Sequence, residues 1–445
     1  METSKQVTEA YEATEEQRAH WARRSRWKWV EASIWTDAML IALENGVKGG
    51  KWFSLIDKAY RSRTLEMAWQ KVRKNKGAAG VDKITISRFE AKKIEYLKEL
   101  ELELKIGTYQ PNAVKRVYIP KGQGKKRPLG IPSTKDRVAQ QAIKMVLEPI
   151  FEKEFLDMSY GFRPNKGAQM AIEEVNRLIK EGYTWVVDAD LQAYFDTIPH
   201  DKLMTKVEQR ISDGCVIKLI TMWLKQEIMD ECKNWVPTEG SPQGAVISPL
   251  LSNIYLHDLD VAMTSAGYKM IRYADDFVIL TRSRKEAEDA LSVVQKWVAE
   301  HELSLHPEKT HLGNCMIEGE GFDFLGYRFE AGTNWVRRKS IQKFRDRIRE
   351  LTSRVCGKTI KEVITKLNPV LRGWCNYFKG VTKYTLGTFD SFVRRRLRAI
   401  IERQNKRRSF GAGWSNQNIP NKFFADNGLF KMEESQRQYL ASQSR

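Results

Sequence analysis

At 445 residues the chain has room for about three domains and a sizeable core, which excludes a mini-protein held by disulfides or metal. Charged residues make up 29% and apolar residues 42%, with 13 Trp and 18 Phe, so disorder is excluded. No run approaches the roughly 20 apolar residues that a membrane span needs, and the net charge of +19 points to a polyanionic partner. From Trp335 to Ser409 there are 22 Lys and Arg against five acids, a net +17, which is a nucleic-acid footprint rather than a solvated helix face. Cys215, Cys232, Cys315, Cys356 and Cys375 are odd in number and widely spaced, without a CxxC pair, which argues against a disulfide framework or a structural zinc. The N-terminus lacks the apolar core of a signal peptide, and Glu2, Glu9, Glu12, Glu15 and Glu16 argue against a transit peptide; a cytoplasmic chain is expected.

In chain order, residues 1–48 form a leader in which Trp21, Trp27, Trp29 and Trp35 alternate with Arg23, Arg24, Arg26 and Lys28. That pattern fits an RNA-stacking surface or an amphipathic helix docked on the body. Residues 49–105 are a mainly helical extension. Residues 116–133 read as a β-hairpin with a cationic, glycine-rich tip, followed by a helix over 136–151 whose stripe includes Val138, Ile143, Val146 and Leu147. "YTWVVDAD" gives an apolar strand ending in carboxylates. "GSPQGAVISPLL" is a loop feeding a helix, with Ser248 as N-cap and Pro249 at the first helical position. "MIRYADDFVIL" reads as strand, turn, strand, "FDFLGYRF" (322–329) as one further strand, and 341–408 as mainly helical.

Asp190 stands at a strand end, and Asp275 and Asp276 in a turn between apolar strands. An Asp-Asp pair can be turn chemistry alone. Adjacent carboxylates between apolar strands nevertheless repel each other and are costly to desolvate without a cation, so Mg²⁺ is the economical explanation. With Asp190 beside them, the acids could bridge two ions about 3.5 to 4 Å apart, the arrangement used in phosphoryl transfer.

The ordered series "RPLGIPSTKDR", "SYGFRP", "DADLQAYFD", "GSPQGAVISPLLSNIYLHDLD", "YADD", "HPEKT" and "FLGYRF" resembles the group II intron-encoded reverse transcriptases and maturases over about residues 50–400. The resemblance implies an α+β right-hand polymerase, with fingers and palm over 106–330, an α-helical thumb and maturase region over 331–409 and a short C-terminal appendage over 410–445. It implies that Asp190, Asp275 and Asp276 are catalytic and hold two Mg²⁺ ions, for which Mn²⁺ could substitute, with the Leu191 carbonyl as a further ligand. By the same resemblance Lys121 and Arg127 grip the triphosphate, Phe195 crowds a ribose 2′-hydroxyl, and Gln243 contacts the nucleotide while Gly244 lets the backbone approach. Lys309 is placed near triphosphate or primer. Arg163 is a template contact or a structural ion-pair partner.

Arg372, Arg394, Arg395, Arg396 and Arg398 suit a structured RNA held through its phosphates, whereas Trp374 and Phe378 fit core as well as RNA stacking. His200, His257, His306 and His311 read as structural, since metal-assisted phosphoryl transfer needs no imidazole base. The expected partners are group II intron RNA, a DNA target and primer, and deoxynucleoside triphosphates, with no membrane and an undetermined oligomeric state. The expected activity is RNA-directed DNA synthesis joined to assisted splicing and target-primed mobility. The competitors are a splicing cofactor with a dead polymerase site and a related bacterial enzyme serving defence or CRISPR adaptation. Only 37 residues follow Arg408, and they contain neither His nor Cys, so no His-Asn-His endonuclease is expected from them.

Overall fold

The computed structural model describes residues 15–122, 125–230, 233–353, 357–382, 384–405 and 415–443. The chain divides into two compact units. The first is Met1–Ala171, Ala189–Ile279 and Glu288–Thr310; the second is Ile172–Asp188, Leu280–Ala287 and His311–Arg445. The strands in chain order are β1 (Val114–Gly122), β2 (Lys125–Ile131), β3 (Trp185–Asp190), β4 (Ile228–Asp230), β5 (Lys233–Trp235), β6 (Lys269–Tyr273), β7 (Asp276–Thr281), β8 (His311–Asn314), β9 (Phe322–Phe324), β10 (Tyr327–Glu330) and β11 (Thr333–Val336). Among the described residues they form three sheets, ordered β2-β1-β4-β5, β6-β7-β3-β8 and β11-β10-β9. No described helix is long and apolar enough to cross a membrane.

In the first unit the central helix α1 (Thr134–Glu152) begins at Ser133, whose side chain accepts the N–H of Asp136 at 3.1 Å, as an N-cap should. Val138, Ala139, Ala142, Ile143, Val146 and Leu147 are all fully buried, and helices pack around it. Each such aliphatic side chain larger than Ala contributes about 1.5–3 kcal/mol. Helix α2 (Ser248–Ser265) starts one residue earlier than the sequence suggests: Ile247 is the cap and Ser248 already helical. The Ser248 hydroxyl is spent instead on the Pro242 carbonyl, at 3.0 Å, tying the preceding loop to the helix. Part of the tryptophan-rich leader docks on the body, while Trp21 stays exposed. Trp27 and Trp35 are buried, Trp35 Nε1 donates to the Met145 carbonyl at 3.2 Å, and Arg23 and Arg24 pair with Glu44 and Asp37.

The second unit corrects the single strand expected over 322–329. β9 and β10 pair antiparallel with Tyr327 opposite Phe324, and Leu325 (φ 48°) and Gly326 (φ 84°) make the left-handed two-residue turn that matches strand twist. The helices α3 (Arg338–Leu351), α4 (Ile360–Phe378), α5 (Gly387–Gln404) and α6 (Met432–Gln443) share a core, with α6 against both α4 and α5. Asp390 fixes that contact by accepting the N–H groups of Met432 and Glu433 at 3.1 and 3.0 Å, so the C-terminal segment is built into the unit. Trp374, half-buried, stacks on Phe344 at 4.2 Å and meets Phe389 edge-on at 4.7 Å, while Phe378 is buried, so Phe378 is core and Trp374 packs at its edge. Cys215, Cys315 and Cys375 are free thiols; Cys232 and Cys356 lie outside the described residues.

Candidate active site and nucleic-acid interface

The Asp-Asp turn joins β6 to β7, with Ala274 in the left-handed region at φ 61°. A non-glycine residue pays for that conformation, so something must hold the turn. Arg272, fully buried on β6, does so: its Nη1 donates to the Ala274 carbonyl and to Asn253 Oδ1, both at 2.9 Å. Its other side forms a bidentate pair with the fully buried Asp260 on α2, at 2.7 and 2.5 Å. Asn253 Nδ2 in turn donates to the Gly161 carbonyl at 2.8 Å, and the Tyr160 N–H donates to the Arg272 carbonyl at 2.8 Å. The segment before Arg163 is thereby clamped against the turn. Removing either partner of such a buried, hydrogen-bonded pair costs about 3–5 kcal/mol.

Burial pushes the Asp275 carboxyl above the usual range, the charge of Asp190 adds to the rise, and Arg127 and Arg272 pull it back. Asp190, at the end of β3, receives the Lys309 ammonium on its carboxylate, and its carbonyl accepts the His306 N–H at 2.7 Å. Gln192 N–H donates to the Ser304 carbonyl at 2.8 Å, so the carbonyl of Leu191 between them points to the other side of the strand. Asp276 opens β7 and is half-buried. Among the described residues no three His, Cys, Asp or Glu side chains close into a complete ligand set. The groups expected as ligands, three carboxylates and a strand carbonyl, are hard oxygens of the kind that suit Mg²⁺.

The Pro-Gln-Gly loop is fastened on three sides. Ser241 N–H donates to the Phe195 carbonyl at 2.6 Å, Val246 N–H to Gln140 Oε1 at 2.8 Å, and Gly130 N–H to the Gln243 carbonyl at 2.7 Å. Gln243 Oε1 accepts Arg127 Nε at 2.7 Å and its amide reaches Asp196 at 3.3 Å, which brings two expected nucleotide residues together. Gly244, at φ 110°, is required by packing: a Cβ there would lie 2.5 Å from the Gly130 carbonyl oxygen. Phe195 is buried and meets Tyr194 edge-on at 5.5 Å. The side chain of Lys121 lies outside the described residues.

One expected nucleic-acid residue, Arg163, is corrected, and a second, Arg398, is partly committed to the protein. Arg163 is buried, with Nε and Nη2 paired to Glu152 and the rest of its donors on the carbonyls of Phe155, Leu156 and Ser159, so it has nothing left for a template. Arg398 is buried and donates to the Ile419 carbonyl and Asn421 at 2.8 and 2.7 Å. Arg396 donates to the Thr352 hydroxyl and carbonyl. Arg394 and Arg395 lie at a cleft of about 810 Å³ that also takes in Arg345, Arg349, Phe392 and Arg398 itself. Arg372 is exposed and lies over the Phe430 ring at 4.5 Å.

The sequence reading missed Arg272, Asp260, Asn253, Gly161 and Asp196. The available signal was Arg272 itself, a charge following the apolar Met270 and Ile271 within a strand, which demands a buried partner.

Residues 119–329 match the family model described as reverse transcriptase (RNA-dependent DNA polymerase), and 341–418 match the group II intron maturase-specific domain. Protein YkfC of Escherichia coli is 36% identical over 295 residues, 57% of this chain and 77% of that protein. The group II intron-encoded protein LtrA of Lactococcus lactis subsp. cremoris is 39% identical over 197 residues, 44% of this chain and 32% of that one. A putative COX1/OXI3 intron 2 protein of Saccharomyces cerevisiae is 27% identical over 380 residues, 71% of this chain and 43% of that protein. The chain thus spans less than half the length of these last two relatives. With the Asp275 turn inside the polymerase segment and the maturase-specific segment following it, the chain belongs to the group II intron reverse transcriptase and maturase family, whose first segment is an RNA-directed DNA polymerase.

Proposed function

We propose that this chain copies RNA into DNA at Asp190, Asp275 and Asp276, and binds group II intron RNA through the basic helices after 335. In doing so it assists splicing and supports mobility by target-primed reverse transcription. The observation that carries the reading is one neighbourhood: Arg127, bonded to Gln243, shares the field of the half-buried Asp275, whose carboxyl is raised first by burial and then by the charge of Asp190. Acids for metal beside cations for triphosphate are what metal-assisted transfer from a nucleoside triphosphate needs.

Asp190, Asp275, Asp276 and the Leu191 carbonyl are the groups that would hold two Mg²⁺ ions, with Mn²⁺ as substitute. The chemistry supplied by that pair when bound is activation of the attacking oxygen and stabilisation of the leaving one. Arg127, with Lys121, steadies the triphosphate, Gln243 orients it, and Phe195 limits the space at the sugar. Lys309 holds Asp190 until the ligands assemble, and Arg372, Arg394 and Arg395 engage RNA phosphates.

The test is Asp275→Asn. RNA-templated primer extension is expected to vanish while filter-binding affinity for the copurifying RNA stays nearly intact. Extension near the wild-type rate would refute the site, and loss of RNA affinity would refute the separation of the two roles.

A further inference from the structure

We propose that Asp196 is a positioning residue for nucleotide binding: its carboxylate fixes which way the Gln243 side-chain amide faces, an inference that rests on the polymerase reading and deepens it. The two ends of a glutamine amide have nearly the same shape, so only the neighbours decide where the carbonyl and the amine lie. Here the neighbours leave one choice. Arg127 can only donate, and its Nε gives to Gln243 Oε1 at 2.7 Å; the Asp196 carboxylate can only accept, and it takes Gln243 Nε2 at 3.3 Å. Turning the amide over would set its amine against a guanidinium and its carbonyl against a carboxylate, and both bonds would be lost. Held this way round, the amide keeps one lone pair and one N–H for the incoming nucleotide.

The backbone brings the two residues together. Ser241 N–H donates to the Phe195 carbonyl at 2.6 Å, and Gly240 N–H donates to the Ile198 carbonyl at 2.8 Å, so the segment carrying Asp196 and the Pro-Gln-Gly loop are laced along one seam. His200 Nε2 closes that seam on the Gly240 carbonyl at 2.6 Å. Gly240, at φ 86°, fits so closely that a Cβ there would lie 2.7 Å from the Asp196 carbonyl oxygen and 2.9 Å from Asp196 Cα. Asp196 therefore stands at a fixed offset from Gln243. Its side chain is exposed, so no enclosed group depends on it for satisfaction, and its removal should cost the fold little. Its surroundings are those of the nucleotide residues: it lines a narrow cleft with Arg116, Pro242 and Gln243, and the charges of Arg116 and Arg127 act on its carboxyl. A carboxylate among these cations opposes a triphosphate by charge, so its favourable contribution to nucleotide binding comes through the amide it orients.

The experiment uses the full chain on an RNA template with a DNA primer ended by a dideoxynucleotide, in magnesium buffer, so that the next complementary deoxynucleotide binds without being joined. Its Kd is read from the nucleotide concentration that stabilises the ternary complex against a competing duplex, titrated into the millimolar range so that weak variants are still measured. Asp196→Asn keeps the shape but can donate as well as accept, and it is expected to raise that Kd roughly 3- to 10-fold, the range of one hydrogen bond at an exposed site. With an extendable primer, the single-turnover rate at saturating nucleotide should change by less than about twofold, because the loss falls on binding. The ratio of ribo- to deoxynucleotide use should stay as in wild type. In a Gln243→Leu chain, which has no amide to orient, Asp196→Asn should leave the Kd where Gln243→Leu alone put it. A thermal melt reports the fold, and Asp196→Ser carries the same comparison if Asp196→Asn melts early. An unchanged Kd in Asp196→Asn overturns the proposal. So does a penalty equally large in the Gln243→Leu chain, since the carboxylate would then act without the amide, or a changed sugar preference, since it would then act through Phe195. Wild-type chain that neither binds the complementary nucleotide nor extends a primer overturns the polymerase reading instead.

Discussion

Gly161→Ala tests whether the Asp-Asp turn is held by the close approach of the segment before Arg163. A Cβ at Gly161 would lie 2.2 Å from the Ala274 nitrogen, 2.8 Å from the Tyr273 carbonyl carbon and 3.0 Å from Ala274 Cα. All three are backbone atoms, so no side chain can swing aside. Restoring ordinary van der Waals contact requires a separation of about 1 Å between the two segments. The Gly161 side cannot supply it freely, because its carbonyl accepts Asn253 and the neighbouring Tyr160 N–H is bonded to Arg272. The displacement therefore falls on Ala274 and on Asp275 beside it. A misplacement of about 1 Å in a reacting constellation costs on the order of 10²-fold in rate, or about 2.7 kcal/mol. Single-turnover primer extension at saturating nucleotide should show that loss in the chemical step, and RNA affinity through the basic helices serves as the control. A folded Gly161→Ala chain that extends within about threefold of wild type would refute the reasoning.

Phe195→Ala should open space beside the sugar and raise the ratio of ribo- to deoxynucleotide incorporation; an unchanged ratio assigns Phe195 to packing against Tyr194. Neutralising Arg394 and Arg395 should lower the slope of log affinity against log salt by roughly 0.7 to 0.9 per lost phosphate contact. Arg398→Gln should instead lower thermal stability through the lost bonds to Ile419 and Asn421, and equal slope changes for all three would contradict their different burial. Burial pushes the Asp136 carboxyl up from 3.8 to about 6, despite the Tyr109 hydroxyl and the Asn112 N–H that donate to it. The folded chain thus binds this proton more tightly than the unfolded one, so the contribution of Asp136 to stability is fullest below about pH 4, falls as pH rises to about 6 and is gone above. The two-unit difference sets an upper bound of about 3 kcal/mol on this contribution. Asp136→Asn should flatten that part of a urea-unfolding profile, and an unchanged profile would contradict the assignment.

The three acids, the Pro-Gln-Gly loop, the cationic hairpin and the concentration of charge after Trp335 were all legible in the sequence, because each is a local matter of residue type, order and spacing. So were most elements, since an apolar stripe of period 3.6 or an apolar strand announces itself within ten or fifteen residues. What only the tertiary structure decided is which charges are already spent. Arg163 and Arg394 look alike on paper, yet one is enclosed by Glu152 and three carbonyls while the other lines an open cleft. Gly244 illustrates the same limit: its need for a glycine comes from the Gly130 carbonyl, more than a hundred residues away, and not from its own loop. The Arg272 and Asp260 pair and the approach of Gly161 to Ala274 likewise join separate segments. A side chain's free energy depends on solvent exclusion and on partners brought from elsewhere along the chain, and that path exists only once the whole core has formed.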